Sequence, residues 1–382
     1  MISSSANKAT PNKKTMATTA STPRSPLLSK GNVSLRDTIL KTHPDLETQR
    51  KRPPPPRSQW TVQTTPKCSG LLNTLAVSLW LGWMGFLVYA IMLLAFLGNQ
   101  TAWMVFIGAC TLSLLLPRNF PGATGQRLGD ALLKRAESYF SLKTVVEDAE
   151  ELAALPELGR AAICAFEPHD VLPYTIFSFN NGLGRVPGFL GRTECLMTRA
   201  VFCVPFLRQM YSWTGGAPVD RKTFRRKLEK KESFVFCPGG VQEVTLMDPN
   251  NSEELVLFLQ NRKGFIKQAL ATGSPIVPAF AFNTDGSYLY WIPRGNLVNK
   301  IARSIGFLPV FFAGRFGLPF GIPFPQDIHV VIGRPIYVPK EGDDIKPESV
   351  DKYHSLFLHA MEGLFERHKD EAGYGHRKLK IL

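Results

Sequence analysis

Between Ser69 and Pro117 the chain runs for 49 residues without one charged side chain. A helix that crosses a bilayer needs roughly 20 consecutive apolar residues, so the stretch is long enough for two passes. Gly98-Asn99-Gln100-Thr101 is the natural turn between a long first arm, 71–97, and a second arm, 102–116, of 15 residues. The first carries Trp80, Trp83 and Tyr89; the second is short enough either to span or to re-enter. Lys67 precedes the stretch and Arg118 follows it, which puts both ends on the cytosolic side by the positive-inside rule. The expectation is a membrane protein with a transmembrane or re-entrant helical hairpin over 68–118.

The net charge of +14 suggests nucleic acid until it is located. Residues 1–70 hold 12 Lys/Arg against 3 Asp/Glu, and the remaining 312 hold 33 against 28. The excess therefore lies in an N-terminal tail, and the nearly balanced body argues against nucleic acid as a partner. A basic tail fits an anionic membrane surface. Residues 1–67, rich in Ser, Thr, Pro and Lys, are expected to be disordered. They lack the apolar core of a secretory signal, while their acid-poor start leaves an organellar transit peptide open. The cysteines at 68, 110, 164, 195, 203 and 237 show no C-x-x-C spacing. They read as reduced and cytosol-facing, with no metal site legible from them.

Beyond the hairpin, 119–382 reads as an α/β domain, a mixed or largely parallel sheet flanked by helices. Helices are expected over 126–140, 145–155, 224–232, 263–272 and 347–369. Short buried strands are expected at 161–167, 233–237, 276–282 and 328–332, with 201–206 a weaker candidate because of Pro205.

The strand that ends at Glu167 runs into Pro168-His169-Asp170, an imidazole between two carboxylates on a rigid platform. His169 can take a proton if a partner fixes its tautomer, and Asp170, Glu167 and Glu243 are the candidate orienting carboxylates. A second strand stops at Pro238-Gly239-Gly240, where the Gly239 and Gly240 amides could hold an oxyanion. Arg262 and Lys263 stand at a helix start, where positive charge opposes the helix dipole unless it is solvated or faces an anion. Gly314-Arg315-Phe316-Gly317, followed by more Phe, Pro and Gly, could shape an apolar channel.

Taken together, these stretches closely resemble the type 2 acyl-CoA:diacylglycerol acyltransferase family, over roughly residues 70–375. Tyr139-Phe140-Ser141 stands where the family has Tyr-Phe-Pro. Glu167-Pro168-His169-Asp170 resembles its His-Pro-His-Gly block in the Glu-Pro-His form of plant and algal members, with Asp170 in place of the commoner Gly or Ser. Pro238-Gly239-Gly240, the segment from Arg262 to Pro278, and Val331-Ile-Gly-Arg-Pro-Ile336 match the remaining motifs. The resemblance implies acyl transfer from acyl-CoA to the hydroxyl of diacylglycerol, giving triacylglycerol, or to monoacylglycerol or a long-chain alcohol. Acyl-CoA is then a substrate, no metal or other cofactor is required, and His169 is the general base. Arg262, Lys263 and Arg315 become candidates for the CoA phosphates. Endoplasmic reticulum and lipid-droplet membranes are the implied location, with the chloroplast envelope as the alternative. A homo-oligomer is left open, and a non-catalytic membrane scaffold is the rival of a different class.

Overall fold

Ile163–Glu167 (β3) is buried at every position, the signature of an interior strand covered on both faces. It is the centre of an eight-stranded mixed sheet. The computed structural model describes residues 45–187, 193–248, 251, 253–293, 295, 300 and 310–382. The sheet is built from Thr61–Thr64 (β1), Lys143–Val146 (β2), β3, Glu194–Met197 (β4), Gly216–Pro218 (β5), Phe234–Phe236 (β6), Ile276–Phe282 (β8) and His329–Ile332 (β11), in the order β1-β2-β11-β8-β3-β6-β4-β5. β8, β3, β6, β4 and β5 run parallel to one another, and β11 and β2 run opposite to them. Ala165 pairs with Phe236 and Glu167 with Phe280, so the loops leaving β3, β6 and β8 emerge at one edge. In open α/β sheets that edge, the carboxyl end of parallel strands, is where ligands bind.

Two further pairs flank the sheet: Glu254–Leu257 (β7) with Lys378–Ile381 (β12), and Leu289–Trp291 (β9) with Phe311–Ala313 (β10). One face of the sheet is covered by Gly264–Thr272 and the 22-residue helix Pro347–His368. The long helix places Val350, Phe357, Met361, Leu364 and Phe365 in the core, and Phe282 stacks on Phe365 with ring centroids 5.8 Å apart. A proline near its start fits a position whose N–H has no intrahelical partner.

Three expectations need correction. The predicted helix over 145–155 is instead β2 followed by the short helix Ala149–Ala154. Val145 and Val146 pair with β1 on one side and β11 on the other, while Asp148 caps the helix by accepting the Glu151 N–H at 3.0 Å. Residues 201–206 are not a strand: Arg199–Cys203 forms a 3-10 turn, and the strand lies earlier, at β4. The predicted disordered tail is structured over 45–67, starting with the short helix Leu46–Lys51 (α1). There β1 closes the sheet edge, and the Gln49 side chain exchanges hydrogen bonds with the Tyr337 main chain at 2.8 and 2.9 Å. Residues 1–44 of that tail lie outside the described residues.

The apolar stretch also departs from two straight passes. Its first arm divides into Leu71–Leu81 (α2) and Trp83–Leu97 (α3), which meet at Gly82 with a bend of 78°. α2 buries Asn73, Ala76, Val77, Trp80 and Leu81 and packs on Ala123–Tyr139 (α5), so it belongs to the domain. α3 and Gln100–Leu115 (α4) bury only Gly85 and Ser113, and expose Phe96, Leu97, Met104, Val105 and Leu115. Ser113 anchors the hairpin to the domain, exchanging hydrogen bonds with Gln209 at 2.6 and 2.9 Å. Among the described residues no single helix is long and apolar enough to cross a membrane.

Candidate active site

β3 and β6 are neighbours, so Pro168-His169-Asp170 and Pro238-Gly239-Gly240 lie side by side past their ends. Glu167, the last residue of β3, is fully buried, and its Oε1 accepts the Gly239 N–H at 2.6 Å. Glu243, also buried, accepts the His169 main-chain N–H on Oε1 at 2.6 Å and the Phe258 N–H on Oε2 at 3.1 Å. The two carboxyls face each other across Gly239, where an added Cβ would collide with the carboxylate of Glu243 and come within 3.0 Å of Glu167 Oε1. Glycine is required there by space. Arg262 completes the cluster: its Nη2 donates to the Gly239 carbonyl at 2.9 Å, and its guanidinium lies 4.9 Å from the centroid of the Phe258 ring.

Burial, reinforced by Glu243, pushes the Glu167 carboxyl well above the usual range, and the Gly239 N–H and Arg262 offset this only in part. Burial likewise raises Glu243 to about 7, against the pull of its two N–H donors. At neutral pH the pair therefore retains a proton.

The imidazole of His169 is oriented by a group that residue types alone do not reveal. Its Nδ1 lies 2.8 Å from the main-chain carbonyl oxygen of Asp170. A carbonyl only accepts, so Nδ1 carries the proton and Nε2 holds the lone pair. Asp170 adopts φ +52°, and its carboxylate turns away to accept the Val171 N–H at 2.6 Å. None of the three predicted carboxylates bonds to the His169 ring: Glu167 and Glu243 hold main chain, and Asp170 contributes its carbonyl. Burial lowers the His169 pKa below its ordinary value, with the Asp170 carbonyl opposing, so the ring is neutral near pH 7. It is only partly exposed to solvent.

The other predicted residues divide. The Gly239 N–H is committed to Glu167, so only the Gly240 amide is not taken by a carboxylate among the described residues. Lys263 is half-buried and paired with Asp351 at 2.7 Å. Arg315 donates to Thr74 Oγ1 at 3.1 Å and lies over the Tyr139 and Phe316 rings, tying the loop to α2. Both are apart from the His169 cluster's hydrogen bonds.

A solvent-open cleft adjoins the cluster, with Pro168, Asp170, Glu243, Asp285, Tyr290 and Arg377 in its wall. Asp285 and Arg377 form an ion pair, and the Tyr374 hydroxyl donates to Asp285. Asp285, Tyr290 and Arg377 belong to no motif, and nothing in the sequence signalled them.

A carboxyl-edge site built on one oriented neutral imidazole has the geometry to move a proton. The sequence profile described as "Diacylglycerol acyltransferase" matches residues 96–381. This chain belongs to that family. It is 34% identical over 236 residues to diacylglycerol O-acyltransferase 1 of Eremothecium gossypii, covering 59% of this chain and 50% of that protein. It is 32% identical to diacylglycerol O-acyltransferase 2-like protein 6 of Mus musculus and 30% to acyl-CoA wax alcohol acyltransferase 2 of the same organism. Each of those matches covers 66% of this chain and 77% of the relative. The aligned region thus spans about half the length of the Eremothecium relative. Among solved structures, the 1-acyl-sn-glycerophosphate acyltransferase PlsC of Thermotoga maritima aligns at 17% identity with a TM-score of 0.39, over 78% of this chain and 95% of that one.

Proposed function

We propose that this chain is an acyl-CoA-dependent O-acyltransferase that converts diacylglycerol to triacylglycerol. The observation that carries the reading is the His169 imidazole, held by the Asp170 carbonyl with its Nε2 lone pair free to take a proton. In the reaction Nε2 removes the proton from the acceptor hydroxyl as its oxygen attacks the thioester carbonyl. The tetrahedral oxyanion is met by the Gly240 amide. When it collapses, the C–S bond breaks and the CoA thiolate leaves with the proton held on His169. Glu167, Glu243 and Arg262 act on this step by fixing the two loops.

The cleft wall carries five carboxyl groups, Asp170, Glu243, Asp248, Glu254 and Asp285, against one guanidinium, Arg377. Such a wall suits an uncharged glycerolipid hydroxyl and repels CoA phosphates. The CoA moiety is therefore assigned to the side of Arg262 and Lys263; Arg315, bound to Thr74, is the weakest of the three candidates.

The exposed apolar surface of α3 and α4, together with Leu289, Trp291, Phe311 and Phe316, supports a membrane-seated domain. The two helices have 15 and 16 residues. At 1.5 Å per residue each is about 22–24 Å long, short of the ~30 Å hydrocarbon core, which supports a re-entrant hairpin. Endoplasmic reticulum and lipid-droplet membranes, and kinship with plant and algal members through Glu167-Pro168-His169, are part of the same proposal.

The test is triacylglycerol synthesis from acyl-CoA and diacylglycerol in membranes of a host deficient in neutral-lipid synthesis, with monoacylglycerol and a long-chain alcohol as competing acceptors. His169→Ala should lower the rate by at least about 100-fold. Preferred use of a long-chain alcohol would transfer the reading to the wax-alcohol branch. Absence of activity with every acceptor would leave the scaffold reading.

A further inference from the structure

We propose that His329, His368 and Glu371 form a site for one divalent transition-metal ion of the zinc type, which fastens the end of the long C-terminal helix to the sheet. His329 opens β11, His368 closes Pro347–His368, and Glu371 lies in the turn beyond it. One ligand atom from each side chain lies within 4.8 Å of the other two. The site is separate from the His169 cluster, since β8 stands between β11 and β3.

Two unsatisfied atoms point to a ligand. His329 and His368 are 4% and 0% exposed, and His329 Nε2 and His368 Nδ1 are buried without a hydrogen-bond partner. Buried polar atoms are rarely left so, and here two neighbouring imidazoles each carry one. The second nitrogen of His368 explains which atom is available. His368 Nε2 lies 3.1 Å from Glu147 Oε1. A carboxylate only accepts, so the proton sits on Nε2, and in the neutral ring the lone pair sits on Nδ1. A carboxylate behind the distal nitrogen is the arrangement that orients histidines bound to metals. Glu147 is itself clamped by Arg367 at 2.7 and 3.0 Å, which fixes the carboxylate behind His368.

His329 is suited to the same role. Its ring meets that of His368 edge to face with centroids 5.8 Å apart, so the two imidazoles are neighbours. Lys143 forms an ion pair with Glu371 Oε1. A carboxylate has a second oxygen, so Glu371 can hold the lysine and a metal together. Two imidazoles and one carboxylate are a donor set for zinc, with a fourth, solvent-filled position on the exposed Glu371 side. Bonds of about 2.0–2.2 Å require the three atoms to draw closer, and the exposed Glu371 side chain can turn inward together with its Lys143 partner.

Beyond Glu371 the chain supplies Tyr374 and Arg377, both bound to Asp285 in the cleft wall. A metal at Glu371 would therefore brace the segment that forms this wall.

The experiment uses the full chain purified in detergent, stripped with a chelator and titrated with Zn²⁺ or Co²⁺ chloride alone. Expected are one equivalent of Co²⁺ with a visible absorption band of imidazole-ligated metal, and a Tm rise of at least about 4 °C with saturating Zn²⁺. His329→Gln should abolish both. Should that buried variant fail to fold, Glu371→Gln at the exposed edge should still weaken zinc affinity at least about 10-fold with little change in the metal-free Tm. No uptake at micromolar metal overturns the proposal. So does uptake that survives both substitutions, which would assign the metal to other histidines such as His359 and His376.

Discussion

The main-chain N–H of His169 donates to Glu243 Oε1 across 2.6 Å and 74 residues of sequence. The loop that presents the imidazole is thus held by the turn after the neighbouring strand, and that turn is held in return by Glu167 through the Gly239 N–H. Glu243→Ala would leave the His169 and Phe258 N–H groups unpaired. Each such loss costs about 1–3 kcal/mol when the donor is buried. The expected result is a lower Tm and a kcat reduced about 10–100-fold with KM nearly unchanged, since the imidazole is mispositioned while the substrate surfaces remain. Glu243→Gln, which keeps one acceptor oxygen, should recover part of both. Steady-state kinetics and thermal denaturation on the same preparations check this; wild-type kcat in Glu243→Ala would refute it.

Asp170→Gly separates a main-chain orienting group from a carboxylate. The residue sits at φ +52°, where glycine is at ease, and its carbonyl rather than its side chain meets His169 Nδ1. The buried carboxyl is raised to about 6, mainly by burial, so its removal also relieves a desolvation cost. Activity is expected to stay within about 5-fold of wild type, far from the ~100-fold loss of a missing catalytic group. A loss on that larger scale would reinstate the carboxylate as the orienting partner.

The Glu167–Glu243 pair sets a pH dependence of stability. Both carboxyls are raised in the folded state, Glu243 to about 7 and Glu167 well above its ordinary 4.5. Protons bound in the fold and released on unfolding favour the fold at low pH. That contribution is fully present below the unfolded values near 4.5 and is lost as pH rises through about 7. Glu167→Gln keeps an acceptor for the Gly239 N–H and offers a permanent donor to Glu243, so the loss should shrink. Wild type and variant should match near pH 4.5, with the variant more stable at pH 8 and the slope reduced by up to about 1.4 kcal/mol per pH unit for each proton removed. Thermal denaturation from pH 4.5 to 8 reads both slopes; parallel curves would rule out the shared proton.

What the sequence disclosed follows from how local each signal is. Ile276–Phe282 is legible to the residue because seven buried positions in a row leave no other reading. Pro347–His368 is legible from one 3.6-period stripe and its initial proline. β4, β5, β7 and β12 escape because, unlike the equally short β6 and β11, they are not buried throughout and gain their identity from neighbours. At the site, the residue types His169, Glu167, Gly239 and Glu243 are evident, but their partners are not. Glu167 reaches 72 residues to Gly239, a pairing fixed by the β3–β6 register. Asp285, Tyr374 and Arg377 meet only because the C-terminus folds back on the cleft.

The hairpin offers the last test, because its helices are too short for the topology that composition suggests. α3 and α4 join at Gly98 and Asn99, with Gly98 at φ +61° and the Asn99 side chain accepting the Ala102 N–H at 3.0 Å. Neither helix, at about 22–24 Å, reaches across a ~30 Å core, so the turn should lie inside the bilayer with both ends on the cytosolic face. Asn99→Cys, in a chain whose Cys68, Cys110 and Cys203 are replaced by serine, should resist a membrane-impermeant maleimide from either side of sealed microsomes, and react after detergent is added. Labelling from the lumen would mean that the hairpin spans. Phe96→Asp with Leu97→Asp bears on the same point energetically. Both side chains are exposed, at 87% and 58%, so the fold has little to lose. Two charges at the bilayer centre cost on the order of 5–7 kcal/mol on insertion scales. The doubly substituted chain should leave the membrane pellet for the soluble fraction, whereas a turn at the far surface would tolerate both charges.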